Sequence, residues 1–167
     1  RLAPTHIRFG HFEYFHARGE NKQVKELADF CIANYFAGAS YENFFEEVVT
    51  STAKLIAKWQ AVGFCHGVMN TDNMSIAGET IDYGPCAFMD FYDPDTVFSS
   101  IDRYGRYAYQ NQSAIAKWNL SCFANTLLPL INTDSKAAID ICSEVLNSFD
   151  SKFSQELFSR FARKIGI

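Results

Sequence analysis

Hydrophobic positions recur at helical spacing along most of the chain. In residues 22–37, KQVKELADFCIANYFA, the apolar face is Val24, Leu27, Ala28, Cys31, Ile32 and Tyr35, set at the i, i+3, i+4 intervals of an amphipathic helix. Gly38 follows as its stop. Residues 41–62 repeat the pattern with Phe45, Val48, Val49, Thr52, Leu55, Ile56 and Trp59, while Glu46, Glu47, Lys54 and Lys58 fall mostly elsewhere on the wheel. This predicts a long surface helix halted near Gly63. The stretch 113–131, SAIAKWNLSCFANTLLPLI, is apolar nearly all round, which predicts a buried helix. Two further helical stretches, 134–148 and 151–164, close the chain, with Lys152, Arg160, Arg163 and Lys164 near its end.

From Phe64 to about Asp95 the period breaks. Short apolar pieces alternate with HG, NTDN, AGE, DYGP and DPD, the pattern of small strands and turns. Residues 1–167 therefore read as one mainly α unit with a small β insert at 64–95. A 48% hydrophobic fraction with 16 phenylalanines supplies a core. The net charge of −4 offers no basic stripe for nucleic acid. No run of eighteen apolar residues predicts a membrane span, and RLAPTHIRFGHFE lacks the apolar segment of a signal peptide. Five cysteines, at 31, 65, 86, 122 and 142, are odd in number and form no C-x-x-C pair. That pattern favours reduced thiols in a cytoplasm over disulfides or a zinc site. Arg1 opens what reads as mid-domain sequence, so an upstream region is expected.

The polar insert carries the candidate chemistry. HGVMNTDN, residues 66–73, aligns with the kinase catalytic loop H-R-D-x-x-x-x-N. His66 stands for the histidine, Gly67 for the arginine, Val68 for the aspartate and Asn73 for the asparagine. Asp82-Tyr83-Gly84 follows where a kinase carries D-F-G. An amide oxygen and a carboxylate from neighbouring turns can together hold Mg2+, which takes few protein oxygens and the rest from phosphate and water. Each piece also has a plainer reading: Asp82–Pro85 as a turn, Asn70–Asn73 as a hairpin loop, and His66 as a core histidine bonding nearby backbone. The structural role of His66 holds under either reading, and the conjunction of motifs favours a nucleotide–metal site. His6, His11 and His16 recur every five residues, which suits packing or solvation rather than a metal. Asp90, Asp93 and Asp95 read as turn caps, with a second metal shell as the alternative.

Residues 64–90, FCHGVMNTDNMSIAGETIDYGPCAFMD, resemble the signature of the selenoprotein O family. These are kinase-fold proteins that transfer AMP from ATP to hydroxyl side chains of other proteins. RLAPTHIRFGHFEYF at the start and NQSAIAKWNLSCFA at 111–124 resemble it too. The resemblance implies a protein-kinase-like C-terminal lobe, present as a fragment with the N-terminal lobe absent. It implies a Mg2+-dependent protein adenylyltransferase, with Mn2+ as the substitute ion, acting on Ser, Thr and Tyr hydroxyls. Carried over by position, Asp72 is the proton acceptor, Asn73 and Asp82 are the metal ligands, and Arg1 and Arg8, with Asp82, meet the bound ATP. Spacing alone does not join Arg1 to Arg8, because Pro4 interrupts a helix through both. ATP is expected to lie reversed relative to a kinase, so that the hydroxyl attacks the α-phosphorus.

A phosphotransferase of kinase type is the closest rival, which Val68 counts against; a non-catalytic nucleotide-binding pseudokinase scaffold is another. No G-x-G pair occurs, and Lys58 lies inside a predicted helix as a solvated residue. The fragment alone is therefore expected to bind ATP poorly and to be inactive. It also ends before the distal C-terminal region of the family. Its exposed lobe face suits self-association. The expected partners are ATP and hydroxyl-bearing proteins, with no nucleic acid and no membrane. The expected compartment is a bacterial cytoplasm, or a mitochondrion in a eukaryote.

Overall fold

The computed structural model describes residues 2–167. Five helices run in chain order: α1 (Phe9–Ala17), α2 (Asn21–Tyr35), α3 (Tyr41–Ala61), α4 (Gln112–Ile131) and α5 (Ser135–Ile165). Between α3 and α4 lie two short strands, β1 (Phe64–Cys65) and β2 (Ala87–Phe88), paired antiparallel with Phe64 opposite Phe88 and Cys65 opposite Ala87. One-turn 3-10 helices occupy Thr71–Asn73 and Tyr109–Asn111. The architecture is mainly helical with a small two-stranded sheet, and the remainder of the 64–95 insert is turns.

The helix starts follow capping chemistry. Ser40 Oγ accepts the Asn43 N–H at 3.1 Å to open α3. Asp134 Oδ1 accepts the Lys136 N–H at 2.8 Å to open α5. Gly166, in the left-handed region at φ 81°, ends α5.

Phe123 of α4 is the centre of the core. Its ring stacks on Phe9 at 4.9 Å and meets Phe12 edge-on at the same distance. Phe44 and Phe45 of α3 close around it at 5.8 and 6.0 Å. All five rings are fully buried. One phenylalanine thus joins α1, α3 and α4, and so fixes where the first residues of α1 stand.

The structure departs from the periodicity in three places. Residues 134–148 and 151–164, expected as two helices, run as one helix from Ser135 to Ile165. The Asn147–Ser151 stretch suggests a break because Asn, Ser and Asp compete for backbone hydrogen bonds. Here Ser148 Oγ donates to Val145 O at 2.6 Å and Ser151 Oγ to Ser148 O at 2.9 Å, so both hydroxyls are satisfied inside the helix. Phe149, fully buried between them, holds that turn against the core. The aromatic-rich stretch after Arg8 is a helix, although its short length gave no clear periodic signal. Finally, α4 is not buried all round: Trp118 is 51% exposed, with the Arg106 guanidinium 4.9 Å over its ring.

Among the described residues no helix is long and apolar enough to cross a membrane. All five cysteines are free. Burial pushes the Cys31 thiol up to about 12 and the Cys142 thiol up to about 11, so neither is a thiolate at neutral pH.

If Phe123 is the common packing point, Phe123→Ala should lower unfolding stability by about 3–5 kcal/mol. The exposed aromatic Tyr104 provides the control, since Tyr104→Ala should change it by less than about 0.5 kcal/mol. Urea denaturation followed by circular dichroism measures both.

Candidate active site

Arg8, Asn73 and Asp82 stand on three neighbouring backbone segments. Arg8 pairs with Ser75 in an antiparallel bridge, and Met74 pairs with Thr80 in another. Ile76 N–H donates to Ile7 O at 3.1 Å and Phe9 N–H to Met74 O at 3.0 Å. The middle segment, Asn73–Ile76, therefore lies between the Arg8 strand and the strand that leads into Asp82. Asn73 and Asp82 leave the Met74–Thr80 bridge at the same end, one and two residues beyond it.

His66 fixes this loop from within. It is fully buried and stacks on Trp59 at 5.2 Å. One ring nitrogen, Nε2, lies 2.8 Å from Ile81 O; a carbonyl only accepts, so Nε2 carries the proton. Nδ1 accepts the Val68 N–H at 3.4 Å. Val68 O in turn accepts Asn73 Nδ2 at 2.8 Å. A run of hydrogen bonds thus links Asn73, Val68, His66 and Ile81, the residue before Asp82. Position 68 serves through its backbone, so its side chain need not be an acid for this purpose. Burial holds the His66 imidazole below its ordinary range, against the opposing pull of the Ile81 carbonyl and the Asp82 charge.

The Asp82 turn is held in a specific shape. Asp82 itself adopts φ 54°, the left-handed region that aspartate tolerates better than most residues. Gly84 N–H closes back on Asp82 O at 2.8 Å. The following Pro85 packs on Gly67, where φ is 85° and an added β-carbon would stand 3.0 Å from Pro85 Cγ. The Asp82 carboxylate stays exposed.

Two buried amides of α4 hold the other side of the loop. Gln112 Oε1 accepts His66 N–H and its Nε2 donates to Phe64 O, both at 3.0 Å. Asn119 Nδ2 donates to Met69 O at 2.7 Å. Neither residue was singled out from the sequence. The available signal was two amides seven residues apart on an apolar helix, which places them on one face two turns apart.

Of the residues expected at the site, Asp72 is exposed on the 3-10 turn and Asn73 beside it is buried. With Asn73 Nδ2 engaged by Val68, Oδ1 is the atom left to meet a cation. Arg8 is half-buried, and its Nε is fully buried without a hydrogen-bond partner. Arg1 lies outside the described residues. An unpaired buried guanidinium nitrogen is costly unless an anion meets it. The donor set, one carboxylate and one amide oxygen, suits a hard cation that takes its other ligands from phosphate and water. No cluster of three His, Cys, Asp or Glu among the described residues offers an all-protein cage.

His6, His11 and His16 are exposed, and His11 Nδ1 accepts the Arg8 N–H at 3.1 Å. Asp93 caps its own turn by accepting the Asp95 N–H at 2.9 Å. A groove of about 640 Å³ between α1 and α4 is lined by residues that include Glu13, His16 and Cys122. It does not include the loop described here.

Comparison with known proteins agrees over the full sequence. The family described as protein adenylyltransferase SelO matches residues 1–167. The protein nucleotidyltransferase YdiU of Clostridium botulinum (strain Loch Maree / Type A3) is 53% identical over 172 residues, covering 100% of this chain and 35% of that protein. The protein of the same name from Maridesulfovibrio salexigens is 52% identical, with the same coverage. That from Nitrobacter winogradskyi is 50% identical, covering 100% of this chain and 34% of its own length. The chain spans about a third of the length of these curated relatives.

The His66 linkage sets a pH dependence. Its folded value lies below the unfolded 6.5, so in acid the unfolded chain binds a proton that the folded chain refuses. The stabilisation is complete above about pH 6.5 and is lost as pH falls through the depressed folded value. Urea midpoints measured between roughly pH 7.5 and 5.5 should fall more for the wild type than for His66→Gln, which keeps a side-chain donor but does not titrate. Equal slopes would remove His66 as the source.

Proposed function

The chain belongs to the SelO family, and on that premise we propose that it forms the catalytic part of a protein adenylyltransferase. The enzyme transfers AMP from ATP to Ser, Thr or Tyr hydroxyls of proteins. The observation that carries this reading is the convergence of Arg8, with its unpaired buried Nε, and the Asn73 and Asp82 segments at one mouth. A kinase-like C-terminal lobe is the fold that this reading assigns to the chain, and the rest of the longer polypeptide supplies the remaining ATP contacts. Relatives from bacteria support a bacterial cytoplasm as its compartment.

In this mechanism Asn73 Oδ1 and the Asp82 carboxylate would hold Mg2+, with Mn2+ able to replace it. When bound, the ion neutralises phosphate charge and orients the α-phosphate for in-line attack. Arg8, with its buried unpaired Nε, meets phosphate oxygens, and Arg1 is assigned to the same role. The exposed Asp72 carboxylate takes the proton from the incoming hydroxyl as its oxygen bonds to the α-phosphorus and pyrophosphate leaves. Phosphoryl-type transition states are loose, so positioning and charge contribute more than the base. That ordering explains why a valine at position 68 is compatible with turnover.

The test uses the full-length protein with ATP, magnesium and a protein acceptor, read by mass spectrometry. An AMP-sized addition supports the proposal, whereas a phosphate-sized one would make the protein a kinase. Bound ATP without any transfer would make it a scaffold. Asp82→Ala should abolish magnesium-dependent transfer, because it removes the only charged metal ligand assigned. Asp72→Ala should slow it by about 10²–10⁴-fold, the usual contribution of a general base. Full activity of Asp82→Ala at ordinary magnesium would refute the metal assignment.

A further inference from the structure

The first turn of α1 and the Thr71–Asn73 turn approach more closely than most side chains permit. A β-carbon added to Gly10 would lie 2.0 Å from Asp72 Oδ1, 2.9 Å from its Cγ and 3.3 Å from its α-carbon. Gly10 has ordinary helical geometry and is absent from the positive-φ glycines. Its need for glycine is therefore one of space, not of backbone freedom. Glycine is otherwise a poor choice in a helix, where alanine is the best residue.

Both backbones are held in place. Phe9 N–H is bound to Met74 O at 3.0 Å, and Arg8 bridges Ser75, so the start of α1 is tied to the segment that follows Asp72. Phe9 and Phe12 are locked against Phe123 in the core. On the other side, Asn73 N–H closes the turn on Asn70 O at 2.9 Å, and the Asn73 side chain is anchored on Val68. The Asp72 carboxylate thus occupies the space beside the Gly10 α-carbon, where a β-carbon would otherwise stand. It also sits at the positive end of α1, where a negative charge is favoured.

We propose that Gly10 is a positioning residue for Asp72: its missing side chain is the space that holds the carboxylate in the orientation used for proton transfer. The inference rests on the role assigned to Asp72 above. A methyl group at position 10 overlaps the Asp72 carboxylate oxygen first and the Asp72 α-carbon much less, so the carboxylate is what it displaces.

The experiment is a double-mutant cycle in the full-length protein, with AMP transfer and thermal unfolding as its two readouts. Gly10→Ala should lower kcat by about 10²-fold, the scale of an ångström of misplacement, with little change in the KM for ATP. In an Asp72→Ala background the same substitution should cost no further rate, because nothing remains to be displaced. Thermal unfolding should show the matching reversal. Gly10→Ala lowers the Tm of the wild type and raises that of Asp72→Ala, where alanine's helix preference is no longer opposed by overlap.

An equal loss of rate from Gly10→Ala in both backgrounds would overturn the proposal, as would a fully active Gly10→Ala enzyme alongside an impaired Asp72→Ala. If Gly10→Ala alone does not fold, the double variant must fold, and its failure to do so also overturns the proposal. An unimpaired Asp72→Ala would instead overturn the proton-acceptor role itself.

Discussion

The buried imidazole of His66 is the constraint on which the site depends. A neutral ring with Nε2 protonated can donate to Ile81 and accept from Val68 at once, and no other protonation state does both. Stacking on Trp59 and complete burial keep water from competing for either bond. The consequence reaches both segments of the candidate site. Val68 carries Asn73 through its carbonyl, and Ile81 immediately precedes Asp82. The backbone of the loop is therefore set by a residue to which the proposed mechanism gives no chemical step.

The same loop is gripped from outside by helices whose own positions come from the core. Gln112 and Asn119 reach from one face of α4 to the backbone of residues 64, 66 and 69. Phe123 lies further along α4 and sets the packing of α1 and α3. The start of α1 then presents Arg8 to one edge of the Asn73–Ile76 segment and Gly10 to Asp72. Hydrophobic packing specifies where the helices lie, and buried amides convert that placement into loop geometry. An amide buried this way is costly unless both its ends are used, which makes Gln112, bonded through both, the firmer of the two anchors.

Much of this was legible in the sequence because helical spacing reports burial directly. The apolar faces of α2 and α3, and the polar insert that follows them, stand out from period alone. The merging of the last two helical stretches was hidden, since nothing local reveals that Phe149 is buried and that Ser148 and Ser151 bond back into their own helix. At the site, HGVMNTDN and DYG marked the loop, and the structure brings their segments together. What stayed hidden were the supports. Gln112, Asn119 and Gly10 act through contacts with residues 46 to 62 positions away, and such separations leave no mark on local composition.

Charge sharpens the functional reading. The chain carries a net −4, so its overall field repels a triphosphate rather than steering it. Affinity for such a ligand has to arise locally, from cations held where solvent does not screen them. Arg8 meets that requirement, because its Nε is already stripped of water and has no protein acceptor; the cost of that desolvation is offset only when an anion arrives. Lys54 and Lys58, exposed on α3, do not meet it, since a hydrated ammonium gains little from a distant phosphate. The unpaired buried Nε of Arg8 is thus what distinguishes this face from an ordinary acidic turn, and under the proposed reading a nucleotide contact would depend on the same strand pairing that places Asn73.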